Sequence, residues 1–244
     1  MTYSIIGILA SIILLVINHD VLLARDGQAL TRTQRCYRDF LWGALAYYIT
    51  DMLWGILEAG RLTAALFVDT TAYFIAMAAA VMLWARYVVS YLDEKSIFGT
   101  LLHHAGRLFL CFEIIVVAVN IFAPIMFWFD ETGAYHAGIA RYVTLAIQIV
   151  MFLLSSVYTL RATAHAKGTM RRRHLTIGLF GIAMVILICV QVVYPLLPCY
   201  AMGYMLGTCV LHSFVVEDEK DEYRTELEQA LERERLQSQE LVES

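Results

Sequence analysis

The chain has few prolines and few charged residues for its length. Of its 244 residues, 3 are proline and 16% are Asp, Glu, Lys or Arg. The prolines are Pro124, Pro195 and Pro198. Because none of them stands at the centre of a long apolar segment, we predict continuous helices, unlike the interrupted helices of many transporters.

Cysteine is also scarce and scattered. The chain has 5 cysteines, with no CxxC spacing, and most stand within apolar segments. We interpret them as small buried apolar residues rather than disulfides or metal ligands, and we expect no metal and no cofactor. These cysteines are Cys36, Cys111, Cys189, Cys199 and Cys209.

Lysine occurs only outside the long apolar segments, at Lys95, Lys167 and Lys220. A retinal receptor needs a lysine within a membrane helix to form its Schiff base, so a retinal photoreceptor is excluded. The HExxH and GxSxG sequences of hydrolases are absent as well. We therefore expect no catalytic residues in this chain.

Apolar residues dominate what is present. They make up 60% of the chain, and the mean hydropathy is +0.64, whereas soluble domains are roughly 45–50% apolar. Several segments approach the roughly 20 apolar residues that cross a bilayer. We predict an all-α membrane protein with seven transmembrane helices in residues 1–216. The predicted spans are Tyr3–Leu23, Phe40–Leu57, Leu62–Val89, Leu108–Trp128, Gly138–Leu160, Leu175–Leu197 and Cys199–Val216.

Positive charges are distributed unevenly among the predicted connections. The connections after the first, third and fifth spans hold most of the Arg and Lys, and the alternate connections hold few. Because cationic loops remain in the cytoplasm, we expect the N-terminus outside a cell membrane and the C-terminus inside. The cations that set this orientation are Arg25, Arg32, Arg35, Arg38, Lys95, Arg107, Arg161, Lys167, Arg171, Arg172 and Arg173.

Residues 217–244 form a tail of different composition. The tail has 11 acidic and 4 basic residues, against 11 acidic and 14 basic residues before it. This acidic balance argues against a nucleic-acid partner. The tail lacks Gly and Pro, and Tyr223, Leu227, Ala230 and Leu241 follow an imperfect heptad seam. We expect either a parallel coiled coil that makes the protein a homodimer or a single solvated helix.

Ionisable and aromatic side chains recur within the predicted spans. At about 1.5 Å per residue, Asp51 and Asp69 fall at similar depths in the outer half. If the faces of Asp51, Trp54 and Arg141 converge, they line a pocket for a small polar or amphipathic ligand from outside. The alternative is a buried ion-pair network that only locks helices together. The candidate ligand-binding residues are Asp51, Trp54, Glu58, Asp69, Tyr73, Arg141, Gln191, Tyr200 and Tyr204.

A second pair of opposite charges is predicted near the inner surface. Arg86 lies near the inner end of the third predicted span, and Glu113 lies at a similar depth in the fourth. An arginine at such a depth pairs with a neighbouring carboxylate or extends its side chain to water. We expect Arg86 and Glu113 to form a structural ion pair.

Several short sequence segments, spread over nearly the whole chain, can be compared with those of known families. They are Tyr47–Gly55 (YYITDMLWG), Phe129–His136 (FDETGAYH) leading to Ala140–Tyr142, Gly178–Met184, Tyr194–Pro198, Gly203–Cys209 and the acidic junction Val216–Lys220. Together they resemble the seven-helix input modules of membrane-bound bacterial diguanylate cyclases. Related modules occur in histidine kinases. No segment is as specific as a catalytic signature.

The resemblance implies a sensor that passes a signal through its C-terminal helix to a cytoplasmic output domain. In that family the output domain carries a GGDEF sequence, which does not occur here. We therefore expect this chain to be a non-catalytic piece of a longer protein. Two other interpretations remain open: a proton- or ion-coupled transporter or channel that uses the intramembrane acidic residues, and a scaffold that only anchors the tail.

Overall fold

The computed structural model describes residues 2–23, 31–92, 96–194 and 197–214. Residues 199–214 are helical and are designated α8. The predicted tail positions Tyr223, Leu227, Ala230 and Leu241 lie outside the described residues. The other elements are α1 (Thr2–Ile17), α2 (His19–Leu22), α3 (Arg32–Ala59), α4 (Thr63–Leu92), α5 (Ile97–Asn120), β1 (Phe127–Phe129), β2 (Tyr135–Ala137), α6 (Ile139–His165) and α7 (Gly168–Val193).

The all-α membrane class is supported by helix length and composition. Among the described residues, five helices, α3 to α7, are long and apolar enough to cross a membrane. At 1.5 Å per residue, each reaches the roughly 30 Å of a hydrocarbon core. The first predicted span corresponds to α1, which has 16 residues, followed by α2. The last predicted span corresponds to α8, whose described part has a similar length.

Helix α4 lies at the centre of the packing. It contacts α3, α5 and α6, whereas α1 packs on α3, and α7 packs on α6. Consecutive helices joined by short connections are antiparallel neighbours. This order explains why large side chains of α4 such as Trp84 and Tyr87 are fully buried. The residues that α4 brings to the interior therefore meet side chains from most of the bundle.

Two helix starts are defined by their own sequence. The Thr31 hydroxyl accepts a hydrogen bond from the Gln34 backbone N–H, and the Gln34 side chain accepts one from the Thr31 N–H, which is a capping box at the start of α3. The Ser96 hydroxyl accepts hydrogen bonds from the N–H groups of Phe98 and Gly99 at the start of α5. These caps satisfy donors that have no partner within the helix.

The start of α5 corrects the fourth predicted span. That span was predicted as Leu108–Trp128, but the helix begins at Ile97 and ends at Asn120. Apolar content alone does not separate the helix from the strand Phe127–Phe129 that follows it. The strands β1 and β2 pair as an antiparallel hairpin, with Trp128 opposite His136. The predicted span thus included Phe127 and Trp128 of β1, and the rest of the hairpin fell in the connection after it.

Helix α8 packs deeply inside the bundle. Tyr200, Tyr204, Thr208 and Leu211 lie on one of its faces and are at most 1% exposed. The Tyr37 hydroxyl of α3 donates a hydrogen bond to the Thr208 carbonyl at 3.1 Å.

Glycines allow α8 to approach α7 closely. A side chain at Gly207 would collide with the Phe180 ring, and one at Gly203 would meet Met184 and Leu187 of α7. Small residues four positions apart let helix backbones approach in this way. The close fit makes α8 an integral part of the bundle.

Candidate functional site

A cavity of about 110 Å³ lies at the end of the bundle near the hairpin. It is lined by side chains from α3, α4, α6, α7 and α8, together with β2. A cavity of roughly 150 Å³ in another protein accommodates benzene, so this one has room for a small organic molecule. Its lining residues are Asp51, Trp54, Thr70, Tyr73, Phe74, Met77, Tyr135, Arg141, Leu145, Ile188, Gln191 and Tyr200.

Two opposite charges belong to this lining. Asp51 is fully buried on α3, and Arg141 is half-buried in the first turn of α6. Tyr73 of α4 lines the cavity together with them. The cavity wall therefore combines a carboxyl, a guanidinium and a phenol hydroxyl.

Aromatic rings form much of the cavity wall and the layer beneath it. The ring centroid of Tyr47 is 5.3 Å from that of Tyr73 and 5.2 Å from that of Tyr200. The hydroxyl groups of Tyr200 and Tyr204 are 3.2 Å apart. Rings at these separations attract one another beyond simple burial. The tyrosines connect the cavity to the buried face of α8.

A hydrogen bond joins the cavity wall to the first turn of α8. The Gln191 side chain, on α7, accepts a hydrogen bond from the Tyr200 backbone N–H at 2.8 Å. The first N–H groups of a helix lack partners within it, so Gln191 acts as a cap from a neighbouring helix. Both residues also line the cavity. The hydrogen bond therefore connects the cavity wall to the start of α8.

The hairpin supplies one wall of the cavity and is anchored to α5. The Asn120 Nδ2 donates to the Phe127 carbonyl, and its Oδ1 accepts from the N–H groups of Met126 and Phe127. Tyr135 of β2 then contacts Trp54, with ring centroids 6.2 Å apart. The guanidinium carbon of Arg141 lies 5.9 Å from the Tyr135 ring centroid, a cation–π contact.

The hairpin turn carries its own charged group outside the bundle. The Asp130 carboxylate accepts hydrogen bonds from Thr132 and Ala134 and lies 2.9 Å from His136. These contacts, with His136 the largest contributor, hold the pKa of Asp130 well below its usual range. The His136 ring also stacks on Trp128 at 5.4 Å. The turn is therefore organised locally, apart from the cavity.

Six of the nine predicted ligand-binding residues line the cavity. The three that do not are Glu58, Asp69 and Tyr204. Glu58 is exposed near the end of α3, because the face that contains Asp51 has left the bundle by that point. Asp69 is buried on α4 but is not in the cavity wall. Tyr204 lies one turn along α8 and reaches the cavity only through Tyr200.

The predicted ion pair between Arg86 and Glu113 is wrong. Arg86 instead pairs with Asp39, with Nη1 to Oδ2 at 3.2 Å. Glu113 is fully buried, and its Oε2 accepts a hydrogen bond from the Thr144 hydroxyl of α6 at 2.8 Å. The prediction failed because α5 begins at Ile97, eleven residues before the predicted start at Leu108. Glu113 therefore lies farther along the helix than predicted, toward the cavity end of the bundle and away from Arg86.

Half of the cavity lining was not predicted. Thr70, Phe74 and Met77 lie on the same face of α4 as Tyr73, at helical spacing, so extending the pattern from Tyr73 would have identified them. Leu145 lies one turn after Arg141 on the same face of α6, so helical spacing from Arg141 indicates it, whereas Ile188 is an ordinary apolar residue with no distinguishing signal. Tyr135 reaches the cavity only because the hairpin folds back over the bundle.

Comparison with protein-family models, with curated proteins and with solved structures finds no match to this chain.

Proposed function

We propose that this chain is a transmembrane sensor module that binds a small ligand in the cavity and passes the signal along α8 to its tail. The ligand is extracytoplasmic or dissolved in the membrane. The observation that carries the proposal is the shared position of Tyr200 and Gln191: both line the cavity, and the hydrogen bond between them holds the first turn of α8.

The geometry of α8 favours transmission over simple anchoring. The helix has one fully buried face, and Tyr37 and Phe40 of α3 contact it at Thr208 and Tyr204. A packed helix moves as a unit, because cores do not deform continuously. A displacement at Tyr200 would thus be expressed at the other end of α8, where residues 217–244 follow.

The topology that suits this role has seven crossings, with the N-terminus outside and the C-terminus in the cytoplasm. The uneven distribution of Arg and Lys in the connections supports it. In this orientation the cavity opens toward the outer side and the tail lies where cytoplasmic output domains act. The resemblance to input modules of diguanylate cyclases favours a cyclase as the output domain and a homodimer as the assembled state.

The test is a fusion of the chain at Ser244 to a diguanylate cyclase domain, with cyclic di-GMP measured in cells. Asp51→Asn is expected to change output at least about threefold, because it removes a charge from the cavity wall that a bound ligand contacts. Glu58→Gln is the matched control, since Glu58 is an exposed carboxylate on the same helix. The amount of each variant in the membrane is measured in parallel.

Equal output from wild type, Asp51→Asn and Arg141→Gln, at equal amounts in the membrane, would contradict the sensor proposal. It would favour a scaffold whose bundle only positions the tail. Loss of Asp51→Asn from the membrane would instead favour a purely structural role for this carboxyl.

A further inference from the structure

The cavity presents a carboxyl and a guanidinium to the same space. Asp51 and Arg141 come from α3 and α6, which both pack on α4 and do not form a major interface with each other. Both side chains line the cavity together with Tyr73 of α4. A ligand in the cavity therefore meets both a carboxyl and a guanidinium.

The surroundings of these charges disfavour a ligand with net charge. Phe74, Met77, Leu145 and Ile188 are part of the lining, and charges interact far more strongly in such apolar surroundings than in water. The Asp51 carboxylate and the Arg141 guanidinium sum to zero. A ligand with a net positive or negative charge would add one charge with no opposite charge to compensate it in these desolvated surroundings.

The aromatic walls suit the positive end of a dipolar ligand. Trp54 and Tyr73 line the cavity together with Asp51, and the faces of aromatic rings attract ammonium groups. On the other side, Arg141 is held by its contact with the Tyr135 ring. Its planar guanidinium can donate two parallel N–H hydrogen bonds to the two oxygens of a carboxylate.

We infer that the ligand class of this cavity is a small zwitterion, with an ammonium group toward Asp51 and a carboxylate toward Arg141. The cavity volume of about 110 Å³ limits it to a molecule of roughly benzene size or slightly smaller. This inference rests on the proposed function for its biological meaning, but the binding itself is measured independently.

The experiment uses the full chain in lipid nanodiscs and isothermal titration calorimetry. The probes are unbranched ω-amino acids from glycine to 6-aminohexanoate, a series that varies only the separation of the two charges. The matched compounds for 4-aminobutyrate are butylamine and butyrate, each with one of its charges. At least one zwitterion is expected to bind about tenfold or more tightly than its matched single-charge compounds.

Two substitutions test which charged group of the ligand each side chain binds. Asp51→Asn is expected to remove the advantage of the zwitterion over the matched carboxylate. Arg141→Gln is expected to remove its advantage over the matched amine. Glu58→Gln and Arg61→Gln alter exposed charges at the same end of the bundle and are expected to keep the wild-type selectivity. The selectivity of the wild type decides the question even if a cavity variant does not fold.

The inference is overturned if a single-charge compound binds as tightly as the zwitterion of equal length, or if no member of the series binds. The fusion assay separates this failure from failure of the proposed function. If Asp51→Asn alters cyclic di-GMP output but no zwitterion binds, the sensor proposal stands and the zwitterion is rejected as the ligand class. Zwitterion binding with unchanged output would confirm the ligand class and reject signalling.

Discussion

Charged side chains are arranged differently at the two ends of α3. Near one end, Asp39 pairs with Arg86 at the surface, where their side chains are 37% and 45% exposed. Twelve residues later, about 18 Å along the helix, Asp51 is fully buried and lines a cavity with Arg141. The first pair is solvated and can be screened by salt, whereas Asp51 and Arg141 face a largely apolar cavity.

The difference shows where this molecule places desolvated polar groups. At the cavity end, the Asn120 amide, the Glu113 carboxyl and the Gln191 amide are all buried, and each makes a hydrogen bond to another segment. A buried polar group costs free energy unless it is satisfied. These contacts therefore define the positions of the hairpin, α6 and α8 around the cavity. Three substitutions test the contrast between the two ends, in order of decreasing effect.

The largest effect is expected for Asn120→Ala. This change removes three hydrogen bonds that hold the hairpin to α5. At about 1 kcal/mol each, it is expected to lower the free energy of unfolding by about 3 kcal/mol. Denaturant titration in mixed micelles measures the loss, and hydrogen exchange at Met126 and Phe127 locates it. Thr132→Ala, in the exposed turn of the same hairpin, is the control, and an equal loss there would contradict the anchoring role.

An intermediate effect is expected for Thr144→Val. The substitution keeps the shape of the side chain and removes the hydroxyl that donates to Glu113, so the buried carboxyl loses a partner. We expect a loss of about 2 kcal/mol in the free energy of unfolding. Thr144→Ser keeps the hydroxyl and is the matched control. In a Glu113→Leu background the cost of Thr144→Val is expected to disappear, and an unchanged cost would show that the hydrogen bond is not responsible.

The smallest effect is expected at the opposite end, for Arg86→Gln. The pair with Asp39 is half exposed, and surface ion pairs contribute about 0–1 kcal/mol. A double-mutant cycle with Asp39→Asn is expected to give a coupling free energy below about 1 kcal/mol, and less at high salt. A coupling above about 2 kcal/mol would mean that the pair is a structural lock comparable to the contacts at the cavity end.

Part of the cavity followed from helical spacing alone. Asp51 and Trp54 share a face of α3, and a buried charge in an apolar helix must point inward. Arg141 of α6 lines the cavity for the same reason. Glu58 does not, because spacing along a helix does not show where the helix leaves the bundle. The partner of Glu113 was predicted wrongly, because a depth counted from a wrong helix start carries that error to every residue of the span.

The sequence by itself determined the class of the protein, the order of its apolar helices and most of the polar side chains that point inward. Long apolar segments have one stable solution in a bilayer, since every backbone group must be paired within the segment. Only the tertiary structure decided which of these side chains share a cavity, that a hairpin closes one wall with Tyr135, and that Gln191 of α7 caps α8. These contacts join residues far apart in the chain, and their partners depend on how the helices pack against α4.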